Sequence, residues 1–185
     1  MRRIGTVLGV FLSLLVIACE GPRGLDGYDG LDGADGEDGI NILGKVIDIE
    51  GNFTAANEYK IGYKFPNTIE VFETDVILVY ILWDQTTDIN GDDVDIWRLL
   101  PQTRLLDQGI LQYNYDYTFF DVSIFMEADF NMSTLPTSDT DNQVFRIAVL
   151  PAEAAQNSKL NTLDISAVMQ TIGLTNNDVS KMTLQ

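Results

Sequence analysis

Eight consecutive apolar residues, Val76-Ile77-Leu78-Val79-Tyr80-Ile81-Leu82-Trp83, constrain the fold more than any other stretch of this chain. A strand built from them is apolar on both alternating faces, so both faces must be covered. As a helix the run is far too short to cross a bilayer, which takes about 20 residues. It reads as a central strand buried on both sides.

Other segments alternate with period two. In Ile110 to Tyr117, Leu111, Tyr113, Tyr115 and Tyr117 share one face while Gln112, Asn114 and Asp116 share the other, as in a half-buried strand. Val122, Ile124 and Met126 repeat the pattern, and so do Phe145, Ile147 and Val149. Weaker strand candidates lie at 43–50, 57–64, 68–73 and 94–106, and Asp107-Gln108-Gly109 supplies a short hairpin connection. Seven to nine short strands predict a mainly β head over residues 42–150, an antiparallel β-sandwich of Ig-like or jelly-roll-like kind.

After Pro151 the period changes. Asn161 can cap a helix that places Leu163, Ala167, Val168 and Ile172 near one face, with Gly173 as its left-handed stop. Thr175 and Asp178 have the spacing of a capping box for a last helical turn ending near Met182. Residues 151–185 are therefore expected to form a C-terminal helical extension packed on the head.

Upstream of the head, glycine recurs at every third position from Gly21 through Gly39. The period is that of a triple helix, in which only Gly fits the crowded axis. Against trimerisation stand a single imino acid, Pro22, and five aspartates, Asp26, Asp29, Asp32, Asp35 and Asp38, in successive Y positions with only Arg23 to offset them. Carboxylates three residues apart on an extended backbone lie near the roughly 8 Å screening length, so their repulsion persists in physiological salt. The tract reads as a solvated acidic spacer of at most roughly 65 Å. A merely flexible acidic linker and a trimeric stalk rescued by Ca²⁺ between the aspartates are the alternatives.

Charge and composition remove whole classes of function. With 28 acidic against 11 basic residues, the formal charge of -17 argues against a nucleic-acid partner. With no histidine and one cysteine there is no Ser-His-Asp triad and no Cys/His zinc site. Flavin and thiol chemistry of the dihydrolipoamide dehydrogenase kind is excluded too, since no redox cysteine pair exists and no G-x-G-x-x-G follows a strand.

The amino terminus is a secretory signal. Arg2 and Arg3 precede an apolar run from Val7 to Ile17, and Ala18 stands before Cys19. The tetrad Val16-Ile17-Ala18-Cys19 resembles the lipobox of bacterial lipoproteins, whose members are cut before the cysteine and carry lipid on it. That resemblance implies a signal peptide over residues 1–18, and over 19–41 a lipidated Cys19 followed by a collagen-like acidic spacer. Several acyl chains, at about 0.8 kcal/mol per buried CH₂, would hold the protein on a membrane. Taken with the glycine tract, the chain resembles small bacterial lipoproteins with a collagen-like segment after the cysteine and a β-rich head. Trp97-Arg98-Leu99-Leu100-Pro101 and Phe145-Arg146-Ile147-Ala148-Val149-Leu150-Pro151 are similar to stretches of that group's heads. The implied location is the cell envelope, lipid-anchored, at the outer membrane of a Gram-negative cell, with surface exposure as one arrangement.

Two features of the head are candidates for function. Asp84, Asp88, Asn90, Asp92, Asp93 and Asp95 could offer oxygens to Ca²⁺, with Asp88, Asn90, Asp92 and Asp95 as the tentative ligands. The loop is not an EF-hand, because Asp93 stands where the sharp-turn glycine belongs and Leu99 where the bidentate Glu belongs. The alternative is a solvated acidic connection between strands. Trp83, Trp97, Tyr113, Tyr115 and Tyr117 could stack on sugars if they lined an exposed face, or pack in the core with hydroxyls reaching its edge. No catalytic residues stand out. The functional expectation is a non-catalytic recognition or structural domain whose glycan or protein ligand is unknown, with a carbohydrate-binding module or a glycan-cleaving carboxylate pair as alternatives.

Overall fold

The computed structural model describes residues 44–156 and 159–184. The signal segment, Cys19 and the glycine tract lie outside the described residues. Nine strands form two sheets: β1 (Lys45–Gly51), β2 (Lys60–Lys64), β3 (Val76–Thr87), β4 (Asp93–Leu99), β5 (Gln102–Leu106), β6 (Gly109–Tyr117), β7 (Asp121–Ala128), β8 (Gln143–Leu150) and β9 (Ser180–Thr183). One sheet has the order β4-β3-β8-β1-β9 and the other β2-β7-β6-β5. Every pairing is antiparallel except β9 on β1. The head is thus the expected β-sandwich.

The apolar run is β3, and its two faces are buried against different partners. Ile77, Val79 and Ile81 enter the interior between the sheets, beside Ile47, Ile49, Phe145, Ile147 and the facing Leu111, Tyr113, Val122 and Ile124. Leu78 and Tyr80 point the other way, where Val46, Ala148 and Leu150 meet Ile165, Val168, Met169 and Ile172 of the helix Ile165–Thr171. Each fully buried Ile, Leu or Phe contributes roughly 1.5–3 kcal/mol, which makes the five-stranded sheet the thermodynamic centre of the head. β8 shares this position: Phe145 through Leu150 are all buried, where the sequence pattern indicates a half-buried strand.

The C-terminal segment departs from expectation in three places. Asp164, not Asn161, caps the helix, its carboxylate accepting from the N–H groups of Ser166 and Ala167. Asn161 instead accepts from the Leu163 N–H one turn earlier, which leaves Leu163 72% exposed. Thr175 and Asp178 do form a capping box, on the short 3₁₀ turn Asn176–Asp178, but the chain then extends into β9 and pairs with β1. Gly173 is the stop, with φ of 71° in the left-handed region that glycine enters freely. The candidate strand at 68–73 is turn and irregular chain.

Gly44 stands immediately before β1. A β-carbon there would lie 2.7 Å from the Ile172 side chain, so only glycine lets the backbone pass beneath the helix. From this point β1 runs along the sheet and, through its antiparallel pairing with β8 and that of β8 with β3, sets β3 running the same way. The last residues of β3, the β3–β4 turn and the start of β8 consequently lie at the end of the sandwich opposite Gly44.

Candidate functional site

The chemistry of the head gathers at that opposite end. β3 outruns its neighbour β8 there: its pairing with β8 ends at Ile81, while its pairing with β4 continues to Thr87 opposite Asp93. A register shift between Leu82 and Asp84 makes Trp83 an extra residue in the ladder. Such bulges re-aim side chains, and Trp83 packs against the rim of the interior between the sheets.

Two arginines lie over Trp83. The Arg98 guanidinium carbon, from β4, is 4.2 Å from the ring centroid, and that of Arg104, from β5, is 5.4 Å away. β4 and β5 are edge strands of different sheets joined by a short link, so the two cations are delivered to the same tryptophan from both layers. Arg104 is ion-paired with Asp139, a carboxylate only 2% exposed. The Tyr113 hydroxyl donates to the Asp139 carbonyl at 2.9 Å. Burial first, and then the Asp139 charge, push the Tyr113 hydroxyl up to about 12, against the opposing pull of Arg104. Arg98 makes no ion pair among the described residues, in a chain where acids greatly outnumber bases.

A pocket of about 140 Å³ opens beside this cluster, lined by Trp83, Arg104, Tyr113, Ser138, Asn142 and Gln143 among others. Its far wall is the turn before β8, where Asn142 takes φ of 52° and donates its N–H to Asn52 at 2.6 Å. Asparagine tolerates that conformation better than most residues. Wider grooves of about 580 and 510 Å³ run along the β1, β2 and β9 flank, but their charged groups are single lysines with Asp178, itself held by Thr175, or with no acid at all.

The aspartate loop sits at the same end. Asp88 accepts from the N–H groups of Asn90 and Asp92 and from the Asn90 amide, at 2.8 to 3.0 Å. These bonds, the one from Asp92 foremost, hold its carboxyl below the usual range. Asp95 accepts from Gln85 at 2.8 Å. The turn therefore uses Asp88 as its internal brace, and no group of three or more acidic side chains poised to hold a metal occurs among the described residues. Ile89 at the tip is fully exposed.

The tyrosines take the core position. Tyr113 is buried, Tyr115 donates its hydroxyl to the Ile77 carbonyl at 3.1 Å, and only Tyr117 is largely exposed. Trp97 is likewise engaged, with the Arg146 guanidinium 4.3 Å from its centroid. All three arginines of the described residues thus stack on tryptophan, and Trp97 with Arg146 joins the two stretches noted in the sequence as similar to other heads. Pattern alone did not reveal the Trp83 cluster, because Arg104 and Asp139 are 35 residues apart. Comparison with known protein families, with characterised proteins and with solved structures gives no match.

Proposed function

We propose that the chain is a lipid-anchored protein of a bacterial cell envelope, held at the outer membrane of a Gram-negative cell and displayed outward. Cys19 carries the lipid, the glycine tract keeps the head at a distance, and the sandwich serves as a non-catalytic recognition or structural domain. The observation that carries this reading is the order of parts: a lipobox-like tetrad ending at Cys19, an acidic Gly-X-Y tract directly after it, and from residue 42 a head with its own core. A binding rather than cleaving role is supported by the carboxylates. The two buried ones among the described residues, Asp48 and Asp139, are each held by an arginine. Neither is placed to trade protons with a substrate while so paired.

Metabolic labelling with a fatty acid tests the anchor. The native chain should incorporate label and partition with membranes, and Cys19→Ser should do neither. Equal labelling of the serine variant overturns the proposal.

A further inference from the structure

The geometry points to a binding site for an acidic sugar at the Trp83 cluster, its carboxylate on Arg98, which stacks on Trp83 outside the pocket lining, and its ring edge entering the neighbouring pocket that Trp83 and Arg104 line. This rests on the recognition reading above and gives it a ligand chemistry. Arg98 and Arg104 lie over one ring, so their charges are within about 10 Å of each other, about one screening length. Two like charges held this close repel unless an anion lies between or beside them. Asp139 neutralises one and is the local precedent, a carboxylate taken by Arg104 at the same pocket. The other remains uncompensated.

The Arg98 guanidinium, 4.2 Å from the Trp83 centroid, makes no side-chain hydrogen bond or ion pair among the described residues, and its donors match a carboxylate in fork geometry. Net local charge selects the ligand. Two guanidiniums against Asp139 leave a single positive charge, which a monoanion balances and a dianionic phosphate overshoots. Asp84, the next carboxylate along β3, is paired in register with Ile96 and forms an ion pair with neither arginine. It acts as a modest repulsive neighbour.

The rest of the pocket favours a sugar over an acidic peptide. Ser138 and Asn142 line it with a hydroxyl and an amide suited to ring hydroxyls, and Gln143, whose amide nitrogen donates to the Ser138 and Asp141 carbonyls, adds an acceptor oxygen. Its volume, about 140 Å³, is well below the roughly 300 Å³ at which whole small molecules become enclosed, so it takes one end of a ligand. A uronate at a chain end or branch presents its carboxylate and ring edge in this way.

The test uses the full-length chain in detergent, titrated with sodium glucuronate, glucose, sodium sulfate and N-acetylglutamate at constant ionic strength. Tryptophan emission, read against a Trp83→Phe variant that leaves only Trp97, isolates the Trp83 signal, and calorimetry gives the affinity. Glucuronate should bind and shift the emission, with glucose, sulfate and N-acetylglutamate at least about tenfold weaker. Arg98→Gln, which keeps a stem over the ring but removes the charge, should weaken glucuronate at least about tenfold with an unchanged melting temperature. Arg98→Lys should recover only part of it, Asp84→Asn should tighten it, and Lys181→Gln on the far flank should change nothing. Undiminished binding by Arg98→Gln, an equal loss in Lys181→Gln, or no glucuronate binding at all overturns the site. Preference for N-acetylglutamate or glucose overturns the sugar-acid assignment. Fatty-acid labelling of Cys19 is read separately, so failure here and failure of the anchored-display proposal are distinguishable.

Discussion

Two clusters in this head use the same three residue types, aspartate, arginine and tryptophan, to different ends. In the first, Arg146 donates from Nε and Nη2 to the two oxygens of Asp48, at 2.7 and 2.9 Å, and from Nη1 to Asn176 at 3.1 Å, while its face covers Trp97. Both charged residues are 6% exposed. Every edge of that guanidinium is used, so the cluster has nothing left to offer a ligand. It ties β1 and β8 to the C-terminal segment that covers them. In the second, around Trp83, the one paired carboxylate, Asp139, holds Arg104 and leaves Arg98 without an ion pair, and the arrangement opens to solvent. Saturated donors make a fastener, and surplus donors make a place for something else.

The sharpest way to break this comparison is to cut each cluster in turn. Arg146→Ala strands the Asp48 charge in the sheet, and a loss of about 3–5 kcal/mol is expected in urea unfolding. A loss under about 1 kcal/mol would mean that the buried cluster is not a fastener. Asp139→Ala should cost less, about 1.5–3 kcal/mol in the same measurement, because the Arg104 side chain is 39% exposed and can turn to water.

Alkaline titration sharpens the contrast without mutation. Tyr113 belongs to the open cluster and Tyr80, whose hydroxyl donates to the Thr162 carbonyl at 2.6 Å, to the closed side. Burial raises both hydroxyls above the ordinary value of 10, Tyr80 the further. The unfolded chain therefore ionises first as pH rises. The stability each contributes is whole below pH 10; that of Tyr113 is lost as pH climbs to about 12, and that of Tyr80 persists higher. Absorbance at the tyrosinate band against pH, with Tyr113→Phe and Tyr80→Phe, resolves the order.

The smallest effects belong to groups that already face water. Arg98→Gln and Asp88→Ala should each change stability by no more than about 0.5 kcal/mol. The second should free the 88–92 turn, seen as faster amide exchange of Asn90 and Asp92. Melting in Ca²⁺, Mg²⁺ and chelator completes the set, and equal values are expected while Asp88 braces the turn. A rise specific to Ca²⁺ would show Asp88, Asn90, Asp92 and Asp95 regrouping around an ion.

What the sequence made legible follows from physics that is local. The uninterrupted run at 76–83 specified a doubly covered strand, and the tyrosine alternation at 111–117 specified a core-facing edge, since each depends only on period. The β8 pattern indicates a half-buried strand because Arg146 looks like a solvent-facing residue, whereas its burial depends on Asp48, 98 residues away. Asn161 looked like a cap because cap preference is shared by Asn and Asp, and only packing of Ile165 and Val168 decides which turn begins the helix. The Trp83 cluster depends on a bulge and on two sheets meeting at an edge, neither of which leaves a mark in periodicity.

β1 has a further consequence, which is mechanical. The strand follows directly on Gly44 and lies between β8 and β9, paired through seven positions with the first and four with the second. A force applied along the axis of β1 meets both of these pairings at once. Its hydrogen bonds stand across that axis and would share the load together, in shear, instead of parting one after another from an end. Force along the axis of β1 is therefore the load that the five-stranded sheet resists best.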